Sequence, residues 1–171
     1  TNILLLGTDH AQLSGRESAN RSDSITLVRV DTSRHRIAYL SIPRDLVVEI
    51  PGYGNSKINA AMQVGGPRLA VLTVKKLTGL PVNHVAVVDF SQFEDLIDKL
   101  GGIYIDVPKA IDDDKYPMDE YQGDLRTMKI HFDAGRQLMD GTTALIYSRT
   151  RHADSDFGRN QRQQQVLLAI F

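Results

Sequence analysis

The chain has 171 residues, 42% of them hydrophobic, which suffices for one domain with a substantial core. Formal charge is −1, from 20 basic and 21 acidic residues, so no global field exists to hold a nucleic acid or an anionic membrane surface, and any anion site must be local. Cysteine is absent, which excludes thiolate metal sites, cysteine nucleophiles and disulfides.

No apolar run approaches the roughly 18 residues of a membrane span, and no signal peptide is present. Thr1 leads almost at once into the strand-like Ile3-Leu4-Leu5-Leu6, so the chain reads as a domain cut from a longer protein. Apolar, β-branched runs bounded by Gly, Pro, Asp or Ser predict strands over 2–7, 25–31, 36–42 and 46–50. A helix follows over 67–77, opening with Pro67 after Gly65-Gly66 and closing at Gly79, where helix starts and stops prefer these residues. A strand over 84–90 then leads to a second helix, which starts at Ser91 in the possible capping box Ser91-Gln92-Phe93-Glu94 and ends before Gly101-Gly102. Strands over 103–107 and 127–132 flank an acid-rich stretch, 106–124, that reads as a solvated loop, with a cation site as the alternative. Helices from Asp140 to about Tyr147, and from Arg159 to the end, complete the chain. Strands alternating with helices, several strands being too apolar for a wet face, argue for an α/β fold whose mixed sheet is covered on both faces. Neither repeats nor a linker are evident, so residues 1–171 are read as a single domain.

Familiar nucleotide and hydrolase signatures are missing: residues 52–57 do not form a P-loop, no Gly-x-Ser-x-Gly occurs, and the five histidines lack metal-ligand spacing. Polar residues instead cluster at the ends of apolar strands, where α/β sheets present ligand sites. Gly7-Thr8-Asp9 puts a carboxylate just past the first strand, and Arg21-Ser22-Asp23 puts another just before the next. If those strands pair, two carboxylates with open positions suit Mg²⁺, which takes its remaining ligands from water and phosphate; a turn or cap role explains either acid alone equally well. Ser41-Ile42-Pro43-Arg44-Asp45 is a rigid turn that would hold Arg44 at the sheet's end, unless it is an ordinary surface Arg-Asp turn. Near the end of the chain, Arg149 and Arg151 project to the same side if the backbone is extended there, and Arg159 and Gln163, four apart, share a helix face with Arg162 beside them. Arginines so concentrated in a neutral chain are a candidate phosphate site, because guanidinium offers planar, bidentate donors; helix-surface ion pairs with Asp154 and Asp156 are the plainer reading. Two acids and an arginine cluster together are the equipment of phosphoryl transfer.

At this point the sequence resembles the LytR-CpsA-Psr family. The motifs occur in order: Gly7-Thr8-Asp9, Arg21-Ser22-Asp23-Ser24, Ser41-Ile42-Pro43-Arg44-Asp45, Lys57-Ile58-Asn59-Ala60-Ala61, Leu100-Gly101-Gly102-Ile103, Asp140-Gly141 with Ala144-Leu145, then 147–152 and 156–163. The resemblance implies a three-layer α/β/α sandwich with a central mixed β-sheet, on the outer face of the bacterial membrane behind an N-terminal membrane helix upstream of Thr1. It implies a phosphotransferase that takes a teichoic acid, capsular or similar polysaccharide from a polyprenyl pyrophosphate carrier and joins it by a phosphodiester to a peptidoglycan sugar hydroxyl. By motif, Asp9 and Asp23 would hold Mg²⁺, while Arg44, Arg149, Arg151, Arg159 and Gln163 would grip the pyrophosphate. Asp9 or Asp156 is the expected acceptor of the attacking hydroxyl's proton. The chain departs from the family in following its first Gly-x-Asp with His10-Ala11-Gln12, where an arginine is usual; Arg16 is the nearest substitute. For the polyprenyl tail, the helix over 67–77 and the strand over 85–88 are candidate walls, although Ala70, Val71, Val74 and Leu77 lie at a spacing that core packing alone explains. Two rivals belong to other classes. A non-catalytic lipid-linked glycan binder would need the arginines but not the paired acids, whereas a pyrophosphatase would use every residue with water in place of the sugar.

Overall fold

A computed structural model describes residues 1–8, 22–119, 124–150 and 156–170. The fold is α/β with a mixed sheet, and its contacts divide into two compact units, Thr1–Phe90 and Ser91–Phe171. No helix among the described residues is long and apolar enough to cross a membrane.

The first unit is built on a four-stranded sheet in the order β3-β2-β1-β6. Strand β1 (Asn2–Thr8) alternates buried and half-buried residues, as period-2 patterning requires, and pairs antiparallel with β2 (Ser22–Asp31) and parallel with β6 (His84–Asp89). Strand β3 (Arg36–Ile42) extends the sheet antiparallel to β2. Leu4, Leu6, Ile25, Leu27 and Ile42 point to one face and are covered by Ala61, Leu69, Ala70 and Val74 of helix α1 (Ala60–Thr78). Each fully buried leucine contributes about 1.5–3 kcal/mol, which fixes the sheet's inward face. Ala70 and Val74 are buried in this core and Val71 packs against it, whereas Leu77 stays 42% exposed. Ala70, Val71 and Val74 therefore pack α1 onto the sheet, whereas Leu77 does not.

Helix α1 departs from helical geometry at Gly65 (φ −143°) and Gly66 (φ 62°), and the chain turns helical again at Pro67. The expected start at Pro67 is thus the start of the second segment, whose end is capped by left-handed Gly79 donating to the Lys75 carbonyl. The segment before Gly65 was missed although Asn59, a residue type favoured at helix starts, stands at its N-cap; Asn59 makes no side-chain capping hydrogen bond there. The short hairpin of β4 (Val47–Ile50) and β5 (Gly54–Lys57) precedes it; β5 is all polar and left no hydrophobic trace.

The second unit contains α2 (Phe90–Lys99), the ladder of β7 (Ile103–Val107) with β10 (Gly135–Met139), the hairpin of β8 (Ile111–Asp119) with β9 (Asp124–Phe132), α3 (Gly141–Arg149) and α4 (Asp156–Ile170). Its core joins Ile97, Ile103, Ile105, Val107, Phe132, Tyr147 and Val166. Helix α3 starts where Asp140 accepts a hydrogen bond from the Thr143 amide at 2.8 Å, and hydrogen bonds from Thr143 hold the Asp140 carboxyl below the usual carboxylate range. The motif glycine beside it is sterically required. A Cβ on Gly141 would lie 2.4 Å from the Glu94 carbonyl oxygen of α2, and the Gly141 amide donates to the Asp98 carboxylate at 2.7 Å.

Strand β8 corrects the sequence reading. From Ile111 to Asp119 the acid-rich stretch is a strand and not a solvated loop: Ile111, Asp113 and Tyr116 are buried, with a register irregularity between Asp113 and Tyr116. A buried aspartate at an inward position and the extra residue before Tyr116 hid the period-2 signal. On the outward side, Asp112 sits opposite His131, whose Nδ1 lies 2.7 Å from it, while Nε2 lies 3.1 Å from Asp133. These hydrogen bonds, Asp112 first, raise the His131 pKa above its ordinary value. Folding therefore favours the protonated ring, and this contribution is complete below the unfolded pKa and lost as pH rises through the folded one. An NMR titration should place the His131 midpoint above that of the denatured chain and lower it in Asp112→Asn; an unmoved midpoint would refute the pairing.

Candidate active site

The strand directions bring several sequence motifs to one end of the four-stranded sheet. β1, β3 and β6 all finish there and β2 begins there, with Gly7 opposite Ser24, Thr8 opposite Ser22, and Thr8 beside Asp89. Asp9 follows Thr8 immediately but lies outside the described residues, as does Arg16. The backbone of Asp23 runs in β2 between those two pairs; its side chain also lies outside the description. The condition for the two acids to be neighbours, pairing of their strands, is met. A Cβ at Gly7 would fall 2.5 Å from the Ser24 hydroxyl, which would have to rotate away. Thr8 and Ser22 are buried, and the Ser22 hydroxyl has no hydrogen-bond partner among the described residues. A buried strand end that carries the Thr8 and Ser22 hydroxyls is polar enough for a site completed by further oxygen ligands. Among the described residues no group of three or more His, Asp or Glu is placed to hold a metal ion.

Arg44 leaves the same end of the sheet two residues beyond β3. It is partly buried, and its Nε lies 3.6 Å from Asp45. The turn that presents it is fastened to the next motif: Lys57 donates to Asp45 at 2.7 Å, the Ile58 amide donates to the Leu46 carbonyl, and the Asn59 amide to the Arg44 carbonyl. The Lys57 hydrogen bond, with Coulombic help from Lys57 and Arg44, holds the Asp45 carboxyl below its ordinary pKa. Thus Ser41–Asp45 and Lys57–Asn59 are one structural device, and Asp45 serves the turn. Asp89, which ends β6 next to Thr8, was passed over in the sequence; an acid closing an apolar strand was the available signal.

In the second unit, Arg149 is the last residue of α3, half-buried, with Nη1 3.4 Å from the Tyr116 hydroxyl. Thr150 follows with extended geometry (φ −54°, ψ 137°) and is fully buried. Arg151 and Asp154 lie outside the described residues, and Asp156 opens α4. Arg159 and Gln163 are half-buried one turn apart on α4. Arg162 does not belong with them. It is 4% exposed, donates from Nε to the Tyr147 carbonyl at 3.0 Å and from Nη2 to the Thr150 carbonyl at 2.6 Å, and lies 5.9 Å from the Tyr147 ring centroid. It donates to two carbonyls at the end of α3, where helix carbonyls lack intrahelical partners.

The strand-end motifs and Arg44 thus belong to the first unit, Arg149, Arg159 and Gln163 to the second, and the whole is an α/β protein with a mixed sheet. Residues 1–171 match the LytR_cpsA_psr family throughout, and the chain belongs to that family. Over 98% of its length it is 38% identical to two Bacillus subtilis proteins, the polyisoprenyl-teichoic acid–peptidoglycan teichoic acid transferases TagV and TagT. It is also 38% identical to the Staphylococcus aureus regulatory protein MsrR, again over 98% of its length. It covers 42%, 51% and 47% of these three proteins, so the chain spans about half the length of the curated relatives it matches. The B. subtilis TagV crystal structure superposes with a TM-score of 0.80 at 35% identity, covering 99% of this chain and 62% of that one. A TagT structure with bound octaprenyl pyrophosphate lipid superposes at 0.75 and 34% identity, with 99% and 62% covered.

Proposed function

We propose that this chain is the catalytic domain of a phosphotransferase that moves a glycopolymer from a polyprenyl pyrophosphate carrier to a peptidoglycan sugar hydroxyl. It would act at the outer face of the bacterial membrane, held by an N-terminal anchor. The observation that carries this reading is the likeness, along the whole chain, to TagV and TagT, with a TagT structure holding a polyprenyl pyrophosphate.

In this reading Arg44, Arg149, Arg151, Arg159 and Gln163 donate hydrogen bonds to the pyrophosphate oxygens and stabilise their charge as it spreads. Asp9 and Asp23 hold Mg²⁺, which when bound neutralises phosphate oxygens. The acceptor hydroxyl oxygen forms a bond to the phosphorus that carries the glycopolymer, the bond from that phosphorus to the carrier's remaining phosphate breaks, and polyprenyl phosphate leaves. The hydroxyl proton passes to a carboxylate, Asp9 or Asp156.

Arg151→Lys tests this assignment, because lysine keeps the charge and loses the planar fork. Transfer from a short-chain pyrophosphate lipid should fall on the order of 100-fold with the melting temperature little changed, as removal of one preorganised donor does. Unchanged turnover would remove Arg151 from the site, since a surface ion pair tolerates lysine. The likeness to MsrR favours a second reading, a regulatory binder of lipid-linked glycan, which expects lipid retention without turnover in the unmodified chain. Product analysis separates transfer from hydrolysis of the same carrier, because a pyrophosphatase releases the polymer phosphate to water.

A further inference from the structure

Helix α3 ends against a group of buried polar side chains that the proposed chemistry leaves without a task. Asp113 is 2% exposed in the inward row of β8; its Oδ1 accepts from the Lys115 amide at 2.9 Å and its Oδ2 accepts from the buried Thr150 hydroxyl. Arg162, from α4, donates to the carbonyls of Tyr147 and Thr150, one on each side of Arg149. The Tyr147 ring is fixed in turn, meeting Phe132 edge-on at 5.3 Å and donating its hydroxyl to Gln165 at 2.6 Å.

A buried carboxylate and a buried guanidinium both carry desolvation costs that packing alone would avoid by using apolar residues. Here both converge on the residues that flank one half-buried arginine, Asp113 at the Thr150 hydroxyl and Arg162 at the Tyr147 and Thr150 carbonyls. Helix ends fray when their last carbonyls lack partners, and a long side chain on a fraying turn sweeps a wide volume. Arg162 supplies partners to two of those carbonyls and Asp113 anchors the Thr150 side chain, so the turn carrying Arg149 is held from two other elements. We propose that Asp113, Thr150 and Arg162 form a clamp that fixes the exit of α3 and thereby aims Arg149 at the phosphate groups of the lipid. They are positioning residues, and the proposal rests on Arg149 binding pyrophosphate as read above.

Thr150→Val removes the hydroxyl at nearly constant shape, and Thr150→Ser restores it. With farnesyl pyrophosphate as the probe, Thr150→Val should bind about 10-fold more weakly, show faster amide exchange over residues 147–150, and regain both properties in Thr150→Ser. Asp113→Asn, which loses one of two acceptor oxygens, should shift both readouts in the same direction. In an Arg149→Ala background, Thr150→Val should cost less than a further two-fold, because the group it positions is gone. Wild-type binding by Thr150→Val, or an equal loss with and without Arg149, overturns the clamp. If the unmodified chain fails to bind farnesyl pyrophosphate, the substrate reading falls, and amide exchange decides the clamp separately: faster exchange over 147–150 in Thr150→Val supports it and unchanged exchange overturns it.

Discussion

Asp23→Ala is expected to abolish Mg²⁺-dependent transfer while leaving a folded protein that still retains its lipid. Under the proposed function the carbon chain of a polyprenyl carrier would be held by apolar contacts, each methylene contributing about 0.8 kcal/mol, and such contacts do not need a carboxylate. Turnover depends on charge stabilisation, where loss of one preorganised group lowers the rate by roughly 10²- to 10³-fold. The fold should survive because β2 is held by its ladder, with Ser24 opposite Gly7 and Ser22 opposite Thr8, and by Ile25 and Leu27 in the core. The measurement is transfer at several Mg²⁺ concentrations and with chelator, alongside mass spectrometry of lipid extracted from the purified variant. Normal turnover by Asp23→Ala in chelator would end the metal hypothesis. Loss of lipid together with activity would instead give Asp23 a part in holding the carrier.

The second large effect is structural. Gly141→Ala should destabilise the protein by about 3 kcal/mol, at the upper end of overpacking costs. The added methyl would meet the oxygen, Cα and carbonyl carbon of Glu94 at 2.4, 2.7 and 2.8 Å, so the obstacle is backbone of α2 and no side-chain rotation relieves it. Moving α3 away would also stretch the hydrogen bond from the Gly141 amide to Asp98. For a chain of this size each kcal/mol shifts the melting temperature by roughly 2–4 °C, so a fall of about 6–12 °C is expected. Thr142→Ala, at an exposed position one residue along, is the control and should melt near wild type. A Gly141→Ala melt equal to that control would show that α2 and α3 are not in close contact in solution.

The sequence made the sheet readable wherever apolar and half-buried residues alternated or ran unbroken. β1, β3 and β7 fall within a residue of their expected bounds, and Pro67 and Gly79 mark the second segment of α1 as their conformational preferences require. What escaped had no apolar period to find: β5 is Gly-Asn-Ser-Lys, β10 has one fully buried residue, and β8 turns an aspartate inward. The backbone of Asp23 and the turn carrying Arg44 lie at the same end of the four-stranded sheet, as reading residues at strand ends suggested. Arg162 was grouped with the candidate phosphate-site arginines because spacing along a helix cannot distinguish a side chain facing solvent from a buried one that donates to backbone carbonyls. Asp113 and Thr150 escaped for the same reason, since their partner is 37 positions away and only the fold joins them.

Strand β8 pairs with β9 alone among the described residues, which leaves its other edge without a described ladder. Such edges invite pairing with a second chain, and segments that aggregate are apolar, β-prone and nearly uncharged. Ile111-Asp112-Asp113-Asp114-Lys115-Tyr116 has β-forming residues at its ends and three carboxylates between them. Stacked against copies of itself it would line up like charges every 4.8 Å or so, a spacing at which repulsion and desolvation oppose growth. The acid run therefore gives the hairpin a built-in resistance to self-association while the chain is still unfolded, and neutralising Asp112 and Asp114 would be the direct way to remove it.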